Sequence, residues 1–135
     1  MNNRVVHFEI PCDNPEKTMD FFKEVFGWTF KQFDTEQYWF VNTGDENSPG
    51  INGGFLKKRD PKMPLANSIH VEDIDEAIKK IEKAGGDVIV PKKPVPNVGW
   101  IGFFTDPDGN VHGILQYDST VRQNEVKISE ELHTA

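Results

Sequence analysis

Apolar residues recur along this chain with two different periods, and the periods alternate. Residues 5–10 read Val-Val-His-Phe-Glu-Ile. That run alternates and is rich in β-branched side chains, so it predicts a strand. Val6, Phe8 and Ile10 share one face, and Val5, His7 and Glu9 share the other. The first face is wholly apolar and should meet a helix, which leaves the face of His7 and Glu9 for a ligand. From Asn14 the period lengthens. Met19, Phe22 and Phe26, widened by Phe21 and Val25, form a helical stripe. Asn14 caps that helix, Pro15 occupies its first position and Gly27 closes it. Three short strands are predicted at 28–33, 37–42 and 51–56, with a polar loop over 44–50.

Residues 58–65 are charged, hold Pro61 and Pro64, and read as a linker. After them the pattern starts again. A strand is predicted at 68–71. Asp73 with Glu76 makes a capping-box start. Ile74, Ala77, Ile78, Ile81 and Ala84 follow helical spacing, and Gly85-Gly86 ends the helix. A strand at 87–90 precedes a Pro/Lys loop over 91–97. Strands at 99–104 and 111–117 form a hairpin across Asp106-Pro107-Asp108-Gly109, where Pro107 presets φ and Gly109 accepts φ > 0.

The order β-α-β-β-β therefore occurs twice, at an offset of about 60 residues, as in an internal duplication. By eye His7 pairs with Asn67, Asn14 with Asp73 and Gly27 with Gly86. Gly53 then pairs with Gly113, Asn52 with His112 and Phe55 with Leu115. The expected architecture is α+β. One domain over 1–117 is built from module one (4–57), a linker (58–65) and module two (66–117). A polar tail (118–135) carries Val121, Val126, Ile128 and Leu132 as its apolar positions.

Composition narrows the function classes. The 135-residue chain is 36% hydrophobic and 27% charged, as expected of a globular protein with a real core. No apolar run reaches the roughly 18 residues a membrane helix needs, and no apolar leader follows the N-terminus. The net charge of −7 argues against a nucleic-acid partner and is compatible with a cationic ligand. Cys12 is the only cysteine, so no intrachain disulfide and no cysteine-based zinc site can form. A reducing, cytoplasmic compartment is expected.

The motifs His7-Phe-Glu-Ile, Phe21-Phe22-Lys-Glu-Val-Phe-Gly-Trp28, Asp73 with Ala84-Gly-Gly86, and Asp106-Pro-Asp-Gly109 together resemble the vicinal oxygen chelate superfamily. Its members include glyoxalases, bleomycin-resistance proteins and extradiol dioxygenases. The resemblance covers residues 5–117. It implies two βαβββ modules whose curled sheet encloses a cavity, and a homodimer, sometimes with exchanged modules. It also implies one metal ligand from the first and one from the fourth strand of each module. His7 matches the first position. Gly53, or Asn52 if the register slips by one, falls at the second. Asn67 falls at the third and Gly113 at the fourth. Glycine offers no donor and asparagine only a neutral one, so no cofactor is expected, and glyoxalase I activity is expected to be absent.

The remaining polar candidates are weighed by parity. His112 lies one residue off the Gly113 face, and His70 lies on the face opposite Asn67. Both read as packed histidines, and His133 as a solvated one. His7 with Glu9 can do acid–base work or orient a ligand. Trp39 and Trp100 can line a pocket for a flat or cationic molecule. The expected ligand-binding set is His7, Glu9, Trp39, Gly53, Asn67, Trp100 and Gly113. The expected function is small-molecule binding by a degenerate metal site that sequesters or senses an aromatic or cationic ligand. The alternative is a divalent-metal-dependent lyase, isomerase or dioxygenase using His7. A third reading is a purely structural domain whose cavity its own side chains fill.

Overall fold

The alternation of residues 5–10 is realised as strand β1 (Arg4–Cys12), and the apolar stripe after it as helix α1 (Pro15–Phe26). In the computed structural model residues 3–121 are described. Asn14 Oδ1 accepts the Lys17 amide at 3.1 Å, and Gly27 takes φ 72° to end the helix. The chain divides into two compact units, Val6–Asn67 and the residues up to Val5 joined with Ser68 onward.

The first unit adds β2 (Thr29–Gln32), β3 (Tyr38–Asn42) and β4 (Asn52–Lys57), in the sheet order β2-β3-β4-β1. β1 and β4 are parallel, and the other neighbours are antiparallel. Cys12, Met19, Val41 and Phe55 form its core, with Phe8, Ile10, Phe22, Trp28, Phe30 and Trp39 packed around them. Phe22 stacks on Trp28 at 4.7 Å, and Phe30 meets Phe55 edge-on at 4.9 Å. The aromatic supply of this half is therefore mostly spent between α1 and the sheet.

The second unit contains β5 (Ala66–His70), α2 (Ile74–Lys83), β6 (Asp87–Val95), β7 (Gly99–Thr105) and β8 (Val111–Tyr117), in the order β5-β8-β7-β6. Asp73 Oδ1 accepts the Glu76 amide at 3.1 Å and starts α2. Val71, Ile74 and Ile114 are its core, with Ile69, Ala77, Ile78, Ile81, Trp100 and Phe104 against them. Among the described residues no helix is long and apolar enough to cross a membrane.

Two expectations need correction here. The loop expected over 91–97 is largely strand, because β6 runs through Pro91 and Pro94 to Val95. β6 is an edge strand, so a proline lacking N–H leaves no inner ladder unsatisfied, and register shifts around Val90 absorb the irregularity. The second correction concerns the repeat. β1 pairs with β4 through Phe8↔Gly53, and β5 pairs with β8 through Ile69↔Ile114. His7 has the parity opposite to Phe8 and faces away from α1, whereas Asn67 has the parity of Ile69, which packs toward α2, so His7 and Asn67 do not correspond. A one-residue slip in a strand moves each side chain to the other face. The start of the tail is tied down, since Asp118 N donates to Val98 O at 2.8 Å and Asn97 N to Val121 O at 3.1 Å. Val126, Ile128, Leu132 and His133 lie outside the described residues.

Candidate functional site

Each sheet has one face against its helix and one face away from it, and the polar side chains sort between them. In the first unit His7 and Glu9 lie away from α1, on the face opposite the packed Phe8 and Ile10. Strand register adds Asn52 and Gly54 beside them from β4, and Phe40 beside Gly54 from β3. Tyr38 shares the parity of Phe40. Its hydroxyl lies 3.1 Å from His7 Nε2, and His7 Nε2 lies 3.7 Å from Glu9 Oε2.

Gly54 makes this arrangement possible. A Cβ built on Gly54 would overlap the Tyr38 hydroxyl and ring. With hydrogen in its place, the phenol lies down over the strand and reaches His7 and Glu9. Burial pushes the Tyr38 phenol well above its ordinary value, and the charge of Glu9 and the hydrogen bond to it push it further. The hydroxyl therefore stays protonated, beside the Glu9 carboxylate and 3.1 Å from His7 Nε2. Asn52 is turned elsewhere, since its Oδ1 accepts the Thr43 amide at 2.9 Å and the Thr43 hydroxyl at 3.3 Å.

Gly53 is not on this face. A Cβ there would meet the Phe8 ring at 2.7 Å, on the helix side. Trp39 is likewise on the helix side, packed on the core of the first unit. Its register partner is Phe55, which is fully buried. Both residues were expected at the ligand face, and both lie one residue away from it.

In the second unit the face away from α2 carries Ser68, His70, Gly113, Leu115 and, by register, Phe103 and Ile101. A Cβ on Gly113 would come within 2.5 Å of Ser68 Oγ and 3.2 Å of the Phe103 ring. So a hydroxyl lies over a strand glycine in each module. The His70 and Tyr117 rings meet edge-on at 4.7 Å. Alternation puts Asn67 on the face of Ile69, which packs toward α2. Trp100 also packs on that side, with Lys92 Nζ 4.4 Å above its ring and bonded to Asp75 at 3.2 Å. His112 is on the helix side as parity predicts, stacked on Phe104 and 2.8 Å from Asp106. Gly113 is thus at the face expected for it, whereas Asn67 and Trp100 are not.

The sequence reading did not bring Tyr38 or Gly54 to the face of His7 and Glu9. The signal for Tyr38 was weak, because three consecutive aromatics hide the parity of β3. Among the described residues no three His, Cys, Asp or Glu side chains come together as a metal-binding group. Two surface hollows lie away from His7, Glu9 and Tyr38. One, of about 70 Å³, is lined by the 43–50 loop and Asn52. The other, of about 310 Å³, is at the start of α2.

This fold and its motifs place the chain in a known family. The model of the glyoxalase/bleomycin resistance protein/dioxygenase superfamily matches residues 4–113, and the chain belongs to that superfamily. It is 28% identical over 116 residues to CFP32, a protein of Mycobacterium tuberculosis and Mycobacterium bovis provisionally named a glyoxylase. That match takes in 80% of this chain and 42% of CFP32, so the chain spans well under half the length of the curated relatives it matches. Among solved structures, a point variant of Streptomyces coelicolor methylmalonyl-CoA epimerase in complex with 2-nitronate-propionyl-CoA shares the fold, with a TM-score of 0.61 at 13% identity, over 91% of this chain and 99% of that one. A superfamily member from Vibrio splendidus 12B01 matches with a TM-score of 0.60 at 16% identity, over 86% of this chain and 99% of that one.

Proposed function

We propose that this chain binds a small aromatic or cationic molecule without a metal, to sequester or sense it. The observation that carries this reading is the make-up of the open face of module one. The Glu9 carboxylate, the Tyr38 phenol and the Phe40 ring, itself 39% exposed, surround Gly54. A flat cation can stack on Phe40 while its charge faces Glu9. A neutral or anionic ring gains only the stacking.

The donor set speaks against a divalent ion. Such ions in this fold want about three to four N/O side-chain ligands. His7 and Glu9 already share Tyr38, Asn52 is engaged by Thr43, and Gly113 has no donor. Glyoxalase I turnover is accordingly expected to be absent. The alternative of a metal-dependent lyase, isomerase or dioxygenase keeps one supporting observation, the 3.7 Å approach of His7 to Glu9. The third reading, a cavity closed by the chain's own side chains, is favoured by the Tyr38 hydroxyl over Gly54. We also read the chain as a cytoplasmic homodimer. CFP32 has room beyond the matched 42% for a second domain of this size, and a second copy would supply the same complement.

Two measurements test the reading. The first is elemental analysis of protein purified without chelator or nickel, repeated after addition of Zn²⁺, Mn²⁺, Ni²⁺ or Fe²⁺ and desalting. About one metal per chain, lost in His7→Ala, would overturn the metal-free reading. The second is fluorescence titration with proflavine, a flat aromatic cation. Saturable binding that weakens in Glu9→Gln supports the reading. Binding that ignores Glu9→Gln sinks it.

A further inference from the structure

Helix α1 leaves an apolar stripe uncovered. It packs on its sheet through Met19 and Phe22. Phe21 and Val25, one turn apart on its flank, stay 55% and 54% exposed. Helix α2 shows that the fold does not require this. The caps Asn14 and Asp73 align the two helices, and Phe21 and Val25 then stand where the second module has Lys80 and Ala84. No large apolar side chain of α2 is exposed.

The charges beside the stripe run against their own helix. Lys17 lies one turn before Phe21 and Glu24 one turn after it. Standing seven residues apart, they share one flank, about 10 Å from each other along the axis. A helix dipole favours acids in the first turn and bases in the last. On its other flank α1 obeys that rule with Glu16 and Lys23, and α2 obeys it with Glu76 and Lys83 at the positions aligned with Lys17 and Glu24. Lys17 and Glu24 reverse it. Their side chains have no hydrogen bond or ion pair among the described residues, whereas Lys23 pairs with Asp20 at 3.8 Å. A second helix laid antiparallel along the stripe removes the conflict. Each Lys17 then faces the C-terminal turn of the other helix, and each Glu24 faces its N-terminal turn.

We propose that this stripe is the interface between two copies of the chain, with their α1 helices antiparallel across a two-fold axis near Phe21. Phe21 of each copy lies at the axis, Val25 lies against Thr18 of the other copy, and the pair of Lys17 with Glu24 occurs twice. A parallel pair would set like charge on like. The 12-residue helix is about 18 Å long, so the contact falls below the roughly 800 Å² per partner of a standard interface and dissociates in about the micromolar range. The proposal rests on the homodimer reading and gives it a surface. It makes no use of the ligand face of module one.

The test is sedimentation velocity of the full chain from about 1 to about 200 μM, where a monomer–dimer equilibrium is expected. Phe21→Lys with Val25→Ala, the residue types α2 carries at these places, is expected to raise the dissociation constant by about tenfold or more. Both sites are exposed and both replacements favour helix, so the fold survives. Lys17→Glu alone sets carboxylate against carboxylate twice across the axis and is expected to raise the constant several-fold, as is Glu24→Lys. Each of these single changes agrees with the helix dipole, so a weaker dimer is not a weaker helix. Lys17→Glu with Glu24→Lys in one chain should restore the parent value, and so should an equimolar mixture of the two single variants. A dimer indifferent to Phe21→Lys with Val25→Ala would overturn the proposal and leave the homodimer reading to another surface. Single charge reversals without effect would overturn the antiparallel pairing, and the proposal with it. A monomer at every concentration would overturn both the proposal and the homodimer reading, and leave the stripe to a partner of another kind.

Discussion

The Tyr38 hydroxyl occupies the volume that a side chain at residue 54 would need. Gly54 is thus what lets Tyr38 meet His7 and Glu9. Gly54→Ala should force the phenol off that pair and destabilise the fold by about 1–3 kcal/mol, the usual cost of overpacking. Tyr38→Ala should cost stability on its own, but should remove most of the penalty of Gly54→Ala. Urea denaturation of both single variants and the double variant gives the coupling, expected at about 1 kcal/mol or more. Additive effects would show that the two residues do not share this space.

Tyr38 also makes a prediction at high pH. Its folded phenol titrates above its ordinary value of 10.0, through burial first and Glu9 second. A group whose folded value is raised contributes stability that is full below its unfolded value and is lost as pH rises through the folded one. Stability should therefore fall from about pH 10 upward. The chain has two tyrosines. Ultraviolet titration should show one phenolate signal delayed until the chain unfolds, and Tyr38→Phe should abolish that delayed component. Two phenols ionising together in the folded protein would contradict the placement of Tyr38.

How much of this was legible in the sequence depends on how local each cause is. The ends of α1 and α2 were readable because Asn14, Gly27 and Asp73 act within one turn of chain. The two faces of β1 were readable because His7 and Glu9 interrupt an otherwise apolar run. β6 was misread past Pro91 because being an edge strand is a property of the whole sheet. Gly53-Gly54 and Asn67-Ser68 were each misassigned by one residue, since neither pair carries the apolar alternation that fixes register. Asn67 looked like a ligand position because it is the polar residue nearest the expected offset. In the structure Asn67 has the parity of Ile69, toward α2, and Ser68 faces the other way.

The hairpin turn predicts an acid-side effect. Asp106 accepts His112 Nε2 at 2.8 Å, the Asn110 amide at 3.0 Å and the Asp108 amide at 2.9 Å. The His112 bond first, and the Asn110 bonds after it, hold its carboxyl well below the ordinary value of 3.8. A lowered folded value contributes stability that is present above the unfolded value and lost as pH falls through the folded one. The melting temperature should therefore drop as pH falls below about 4, and Asp106→Asn should flatten that limb while lowering stability at neutral pH. An acid limb of equal steepness in Asp106→Asn would place its origin elsewhere.

Trp39 and Phe40 are neighbours on opposite faces, and exchanging their expected roles is the sharpest test of the strand register. Trp39 packs on the Cys12, Met19, Val41 and Phe55 core. Trp39→Ala should lose about 3 kcal/mol of stability through the cavity it leaves. Where the variant still folds, it should bind proflavine as the parent does. Phe40, at 39% exposed, lies beside Gly54 on the face of Glu9. Phe40→Ala should cost less than Trp39→Ala, because the ring is 39% exposed and gives up edge-on contacts with Phe33 and Tyr38 only. It should nevertheless weaken proflavine several-fold by removing the stacking surface. The two variants separate stability from binding in opposite directions. If Trp39→Ala spared stability and abolished proflavine binding, β3 would have to be turned over by one residue. Tyr38 would then no longer face His7, and the reading of module one would fall with it.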